Sequence, residues 1–315
     1  MKRAEGSIGV IGAGIIGLAT ARLAQSAGWA VTIYAELPPD QSTSAKAAAS
    51  FKPSGMKHDE RNARIMRASV DEFRRIARES PDAGVRPRPH WEASNEVPEP
   101  PWYLEFMEDP LLFEGGVPGG YKFGWRYTTF FIDVPIFLAW LGSRFAEGGG
   151  KLIIGRTFTS LDEMASLPHE VLFNCTGIGA RQLCGDQSVV PVRGQIVVVG
   201  PQPDMDWSIN HAGFYAYPRR FDTVLGGTRE PGVWDESVEE SVVEAILEGN
   251  RRILPHLKRS DVKATYAGLR PSREAGIRLE LQEVNGKPMV HDYGHGGAGI
   301  TMCWGSAQAA LDLVI

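Results

Sequence analysis

Ile8-Gly9-Val10-Ile11-Gly12-Ala13-Gly14-Ile15-Ile16-Gly17 is the stretch on which the fold turns. Ile8 to Ile11 read as a short buried strand, and three glycines follow in a G-x-G-x-x-G arrangement. Gly12 to Ala27 reads as a helix opened by those glycines and closed by Gly28, and Ala30 to Tyr34 as a second strand. Strand, helix and strand within ~30 residues make a βαβ unit. Each glycine has its own task. Gly12 permits a tight turn, Gly14 lacks a Cβ so that a pyrophosphate can approach the backbone, and Gly17 lets helix and strand pack closely. The helix N-terminus offers free N–H donors and a positive dipole end, which favour an anion. Glu36, just past Ala35 at the end of the second strand, can accept from ribose hydroxyls and would repel a 2′-phosphate, which disfavours NADP. Thr43 and Ser44, in the loop beyond, add hydroxyls that can reach a phosphate.

Further along, the apolar spacing of Ile65, Met66, Val70, Phe73 and Ile76 predicts a helix over 59–77 with a solvated outer face. The segment 81–129, rich in Pro, Gly and aromatics, reads as loops and short antiparallel strands. Asp133 and Pro135 open a helix to about Ala146. Lys151–Ile154 and Glu170–Asn174 read as strands, and Gln195–Val199 and Thr223–Gly226 suggest a second sheet. A helix over 238–253 is expected with Ser237 as N-cap and Glu240 completing a capping box. Pro288–His291 is a strand before a glycine-rich loop and a last helix from Gly299. The expected class is therefore α/β. A Rossmann-like nucleotide-binding domain is assembled from residues 1–55, 132–185 and 274–315, and a β-rich α+β substrate domain is inserted as 56–131 and 186–273.

A chain of 315 residues suits about two domains. Its net charge of -5, with both signs interspersed and no basic block, argues against nucleic acid as partner. No apolar run reaches ~18 residues, so no membrane span is expected. Met1-Lys2-Arg3 and the apolar run behind it have the outline of a signal peptide, but glycines break the run and the nucleotide motif explains it better. Cys175, Cys184 and Cys303 lack paired spacing, which argues against disulfides and a metal site and for a reducing cytoplasm.

Three later segments point to chemistry. His291-Asp292-Tyr293-Gly294-His295-Gly296-Gly297-Ala298-Gly299, with Gly305-Ser306-Ala307, forms a glycine turn feeding a helix. Gly268-Leu269-Arg270-Pro271 ends a strand with a guanidinium, and Phe214-Tyr215-Ala216-Tyr217-Pro218 precedes Leu225-Gly226-Gly227-Thr228. In this order the set resembles the D-amino-acid oxidase family over nearly the whole chain, with Asp292 departing from the usual Asn, His or Ala. Asn174-Cys175-Thr176-Gly177 and Arg193-Gly194-Gln195 match as well.

The resemblance implies FAD as cofactor and a D-amino acid and O₂ as substrates, with a homodimer as an admissible assembly. Arg270 would pair bidentately with the α-carboxylate, a task suited to a planar fork. Tyr215 would hold the same carboxylate, and the Gly297 carbonyl would receive the amine. Gly296, Gly297, Gly299, Ile300 and Thr301 would contact the flavin, as would the stretch holding Ala48, Ala49 and Ser50. No residue is required as acid or base, because a neutral amine can lose hydride from Cα directly. His295 is the alternative base, better suited to a structural hydrogen bond. His211 occupies the place of a lid tyrosine. Arg229 follows Leu-Gly-Gly-Thr as in D-aspartate oxidases, where it would serve an acidic side chain, or it could pair with Glu230, Asp235 or Glu236. Two other features favour a neutral or apolar substrate. A glycine or sarcosine oxidase, an NAD-dependent dehydrogenase and a non-enzymatic redox sensor stand as alternatives.

Overall fold

The computed structural model describes residues 6–53 and 55–314. Its strands are β1 (Ser7–Ile11), β2 (Ala30–Ala35), β3 (Val85–Ser94), β4 (Glu108–Val117), β5 (Tyr121–Ile132), β6 (Lys151–Ile154), β7 (Val171–Asn174), β8 (Val189–Val199), β9 (Ser208–His211), β10 (Phe214–Pro218), β11 (Thr223–Gly226), β12 (Glu230–Pro231), β13 (Val262–Arg273), β14 (Arg278–Val284) and β15 (Lys287–Tyr293). The helices are α1 (Ile15–Ser26), α2 (Glu60–Glu79), α3 (Val134–Glu147), α4 (Leu161–Ala165), α5 (Ala180–Leu183), α6 (Glu240–Asn250) and α7 (Gly299–Leu311).

Two sheets organise these elements. The first runs β14-β15-β7-β1-β2-β6. Its pairings are parallel except for β14 against β15. Parallel strands need both faces covered. Helices α1, α2, α3 and α7 bury Leu18, Phe73, Phe137 and Met302 with Ile8, Val10 and Ile33 of the sheet in one core. Two glycines allow the closest approaches. A Cβ on Gly17 would stand 2.0 Å from the Gly12 carbonyl oxygen, and one on Gly305 would stand 2.0 Å from the Ile65 carbonyl oxygen. The second position explains the Gly305-Ser306 step: α7 touches α2 backbone to backbone, and the Gly305 N–H donates to the Ser69 hydroxyl at 2.8 Å.

The second sheet runs β12-β8-β11-β10-β9-β3-β5-β4, with β13 paired along β8. Alternation divides its faces. Val197, Ile209, Ala216 and Leu225 pack with Val243, Ile246 and Leu247 of α6. Ile196, Tyr215, Tyr217 and Val224 occupy the opposite face with Ala48 of the 47–53 segment.

Several local expectations are corrected. The first helix begins at Ile15, because Gly12 takes φ +109°. The 81–129 region holds two strands of 10 residues and one of 12 rather than short ones. Asp133 precedes α3 but caps nothing with its side chain; its Oδ2 accepts from the Arg220 N–H at 3.1 Å. Helix α6 starts at Glu240, behind Glu239, and the Ser237 capping box does not form. The reason is tertiary. Buried Arg193 donates to the Ser237 carbonyl at 2.6 Å, Gln195 Oε1 accepts from the Glu239 N–H at 3.0 Å, and the chain stays extended through both.

Candidate active site

At the carboxyl end of β1, the chain turns through Gly12 into α1. Gly12 is obligatory twice over: φ is +109° and a Cβ would stand 2.4 Å from the Cys175 carbonyl oxygen. Gly14 is the N-cap of α1 and offers no side-chain cap. The Ser44 hydroxyl, in the short turn Thr43–Lys46, accepts from the Ile15 N–H at 3.0 Å. Thr43 is exposed, and so is Glu36 directly behind Ala35. Helix α7 likewise starts without a side-chain cap, at Ala298. Gly299 faces Ile15, whose Cγ2 would lie 3.9 Å from a Cβ placed there. Apart from the Ile15 N–H taken by Ser44, two neighbouring helix N-termini carry no side-chain cap, and such ends call for an anion or polar partner.

The 47–53 segment lies beside them. Ala49 sits at φ +36°, and the buried Ser50 hydroxyl has no hydrogen-bond partner among the described residues. Thr301, in the first turn of α7, clasps Lys52 by accepting from its N–H at 3.0 Å and donating to its carbonyl at 2.9 Å. Ile300 is buried beside it. Uncapped helix ends, glycines that a Cβ would block and an orphaned buried hydroxyl fit a dinucleotide with a polar ring system.

The second sheet brings the carboxylate-binding candidates to the same place. Arg270, near the end of β13, lays its guanidinium flat over Gly194, where a Cβ would stand 2.2 Å from it. Its Nη1 donates to the carbonyls of Arg193 and Thr228, each at 3.3 Å. The Tyr215 ring lies on Gly226 in the same manner, with its hydroxyl 2.2 Å from where a Cβ would be. The Arg270 charge acts on it. Burial pushes the Tyr215 phenol up although the Arg270 charge opposes it, so the hydroxyl keeps its proton as a donor. Two residues past Arg270, Ser272 pairs with His295, and the Ser272 hydroxyl would lie 3.0 Å from a Cβ on Gly296. The arginine strand and the glycine turn thus run side by side, with Gly297 exposed at the turn.

Behind that turn lies a dry polar cluster. His295 Nε2 is 2.8 Å from the Ser306 hydroxyl, which donates to Asp292 Oδ1 at 2.7 Å. Burial, with help from the Arg61 charge, pulls His295 down to about 3. Burial lifts Asp292 to about 7 against the Ser306 hydrogen bond and Arg61.

Two candidates lie elsewhere. His211 is buried, 3.1 Å from the Tyr121 hydroxyl through Nδ1 and 3.2 Å from Asn250 Oδ1 through Nε2. The hairpin at Ala212 and Gly213 pairs it with Phe214, so it faces away from Tyr215 and cannot act as a lid over that face. Arg229 is exposed, with its guanidinium against Gly55. Its three suggested partners are engaged with others: Glu230 with Arg193, Asp235 with Ser237 and Glu236 with Lys46.

Sequence reading missed Lys52, Glu92 and Asn210. Lys52 Nζ and Glu92 Oε1 are 2.5 Å apart, and Asn210 links Glu92 to the Tyr217 hydroxyl. The Lys52–Glu92 pair spans 40 positions and the Glu92–Asn210 pair 118, so no local spacing signals them.

A dinucleotide cradle on a parallel sheet, with an anion-holding arginine brought to it by an antiparallel one, is the plan of a flavin-dependent oxidoreductase. The chain belongs to the family described as FAD dependent oxidoreductase, which matches residues 7–313. It is an FAD-dependent enzyme. It is 37% identical over 312 residues to a D-amino-acid oxidase of Rubrobacter xylanophilus, covering 96% of this chain and 94% of that one. It is 32% identical over 352 residues to a D-aspartate oxidase of Talaromyces thermophilus, covering 97% and 94%. Among solved structures, glycine oxidase from Geobacillus kaustophilus superposes with a TM-score of 0.83 at 18% identity, over 98% of this chain and 94% of that one. At that identity the likeness concerns the fold. Among the described residues no helix is long and apolar enough to cross a membrane.

Proposed function

We propose that this enzyme oxidatively deaminates D-amino acids, giving an imino acid that water converts to a 2-oxo acid and ammonia. The observation that carries the reading is the Arg270–Tyr215 pair, spread over Gly194 and Gly226 beside the Gly296–Gly297 turn. Relatives with D-amino-acid oxidase activity in their names support it.

Arg270 supplies a planar fork for the α-carboxylate, and Tyr215 adds a neutral hydroxyl donor to the same group. The Gly297 carbonyl accepts from the amine. With two substituents of Cα fixed, the hydrogen and the side chain exchange places between enantiomers, so one hand alone presents hydrogen on the reactive side. Bound FAD would supply the hydride acceptor and the route by which the two electrons reach O₂ to give hydrogen peroxide. The chain's own task is orientation; a positioned near-attack geometry lowers a barrier by about 7–11 kcal/mol in favourable systems. His295, buried and held by Ser306, serves the turn's structure rather than proton transfer. Gly12, Ala13, Gly14, Ile15, Ile16, Gly17, Ala35, Glu36, Thr43 and Ser44 would hold the adenosine and phosphates. Ala48, Ala49, Ser50, Gly296, Gly299, Ile300 and Thr301 would hold the flavin. Residues 1–55, 132–185 and 274–315 would form the FAD domain and 56–131 with 186–273 the substrate domain, except that α2 packs into the core of the first sheet, which argues for counting it with the FAD domain; a reducing cytoplasm suits the three free cysteines.

Anaerobic mixing tests the reading. The yellow holoenzyme should bleach with a D-amino acid and not with its L form, and peroxide should appear on admitting air. Bleaching by both hands, or by neither, refutes it.

A further inference from the structure

Strand register extends the substrate site beyond the carboxylate anchor. Gly226 pairs with Tyr215, Tyr215 with Asn210, and Asn210 with Glu92, one residue per strand across β11, β10, β9 and β3. Directly paired residues share a face, so Tyr215, Asn210 and Glu92 form one row on the side away from α6. Two strand spacings, about 10 Å, separate Tyr215 from Glu92. Lys52 reaches Glu92 from the segment that Thr301 clasps, and so closes the row beside the first turn of α7. A substrate held by its carboxylate at Tyr215 and its amine at Gly297 has this row as a wall within reach of its side chain.

The hydrogen-bond inventory of that wall is lopsided. Glu92 Oε1 accepts from Lys52, from the Tyr103 hydroxyl at 3.2 Å, from the Tyr127 hydroxyl at 3.1 Å and from Asn210 Nδ2 at 3.2 Å, with His90 Nε2 also 3.2 Å away. Its Oε2 accepts from Asn210 Nδ2 alone among the described residues, at 3.3 Å. The Lys52 ammonium has three N–H donors and makes a polar side-chain contact to Glu92 alone among the described residues. Lys52 remains 21% exposed at its side chain. The strongest donor that the wall presents is therefore the ammonium, which has two N–H groups left once Glu92 is paired. A cationic side chain would meet the ammonium charge, and an apolar one would cover its N–H groups without replacing their water.

We propose that Lys52, positioned by Glu92, donates to an oxygen at the end of the substrate side chain, making D-amino acids that carry a side-chain carboxamide or carboxylate the preferred class. This rests on the D-amino-acid reading above and shifts the sequence-based expectation away from apolar side chains.

The test compares kcat/KM of the holoenzyme for D-glutamine, D-glutamate and D-methionine, side chains of similar length with and without oxygen. The wild type should prefer at least one oxygen-bearing substrate over D-methionine by tenfold or more, and D-glutamine against D-glutamate tells amide from carboxylate. In Lys52→Met that preference should fall at least tenfold through KM, and Lys52→Arg should restore part of it. The double variant Lys52→Met/Glu92→Gln removes both charges together and should show the same lost preference if the single variant fails to fold. A wild type that prefers D-methionine, or a preference that survives the substitutions, overturns the proposal. Anaerobic bleaching by D-methionine separates the two levels: if it occurs while the preference is absent, only the Lys52 assignment falls. If no D-amino acid bleaches the flavin, the D-amino-acid reading falls with it.

Discussion

Replacing Asp292 by Asn should make the protein more stable at neutral pH, and increasingly so as pH rises from 4 to 7. Asp292 is fully buried, and its Oδ2 has no partner among the described residues. Among the described residues the charge that acts on it is Arg61, and neighbouring His295 is neutral at these pH values. Burial lifts its carboxyl from 3.8 to about 7. The folded protein thus holds this proton more tightly than the unfolded chain, and between the two values folding takes up a proton. Stability then falls as pH rises through that window and is flat above it. A rise of about three units corresponds to roughly 4 kcal/mol. Asn keeps an acceptor for the Ser306 hydroxyl and cannot ionise. The difference in unfolding free energy, variant minus wild type, should therefore climb by about 1.4 kcal/mol per pH unit between about 4 and 7 and then level off. Urea unfolding of both proteins at matched FAD concentration, in steps from pH 4.5 to 8.5, measures it. A difference that stays constant, or that shrinks toward alkaline pH, refutes the buried-acid argument.

Arg270→Ala removes the fork and should raise KM by roughly 10²–10³-fold, the equivalent of about 3–4 kcal/mol, with flavin absorbance retained; steady-state kinetics with an unchanged KM would contradict the assignment. Gly17→Ala puts a methyl 2.0 Å from the Gly12 carbonyl oxygen and should yield protein that loses FAD on gel filtration; retention of a full flavin complement would count against the cradle. Gly226→Ala displaces the Tyr215 ring and should raise KM without altering the visible spectrum of the bound flavin. Arg229 is exposed and set against Gly55, so Arg229→Ala should leave kcat/KM for neutral D-amino acids within about twofold, and a loss confined to acidic substrates would bring it into the site after all.

The sequence by itself determined the nucleotide half. Gly12 must turn the chain at φ +109° and Gly17 must clear the Gly12 carbonyl five positions back, demands local to one βαβ unit that spacing suffices to read; that Gly12 also abuts the Cys175 carbonyl came only with the fold. The sequence also marked Arg270, Tyr215 and the Gly296–Gly299 turn, through their order along the chain and their likeness to a known family rather than through any local periodicity. Tertiary structure decided the rest. Whether His211 faced the substrate depended on a two-residue hairpin that pairs it with Phe214. The start of α6 depended on Arg193 and Gln195 holding the chain extended more than 40 positions downstream. Glu92 became part of the site only when β3, β9 and β10 aligned in register and Lys52 arrived from a distant segment. Side-chain periodicity records which way a residue points within its own strand; which residue stands opposite is fixed by pairing between strands far apart in the chain, and a local pattern carries no trace of it.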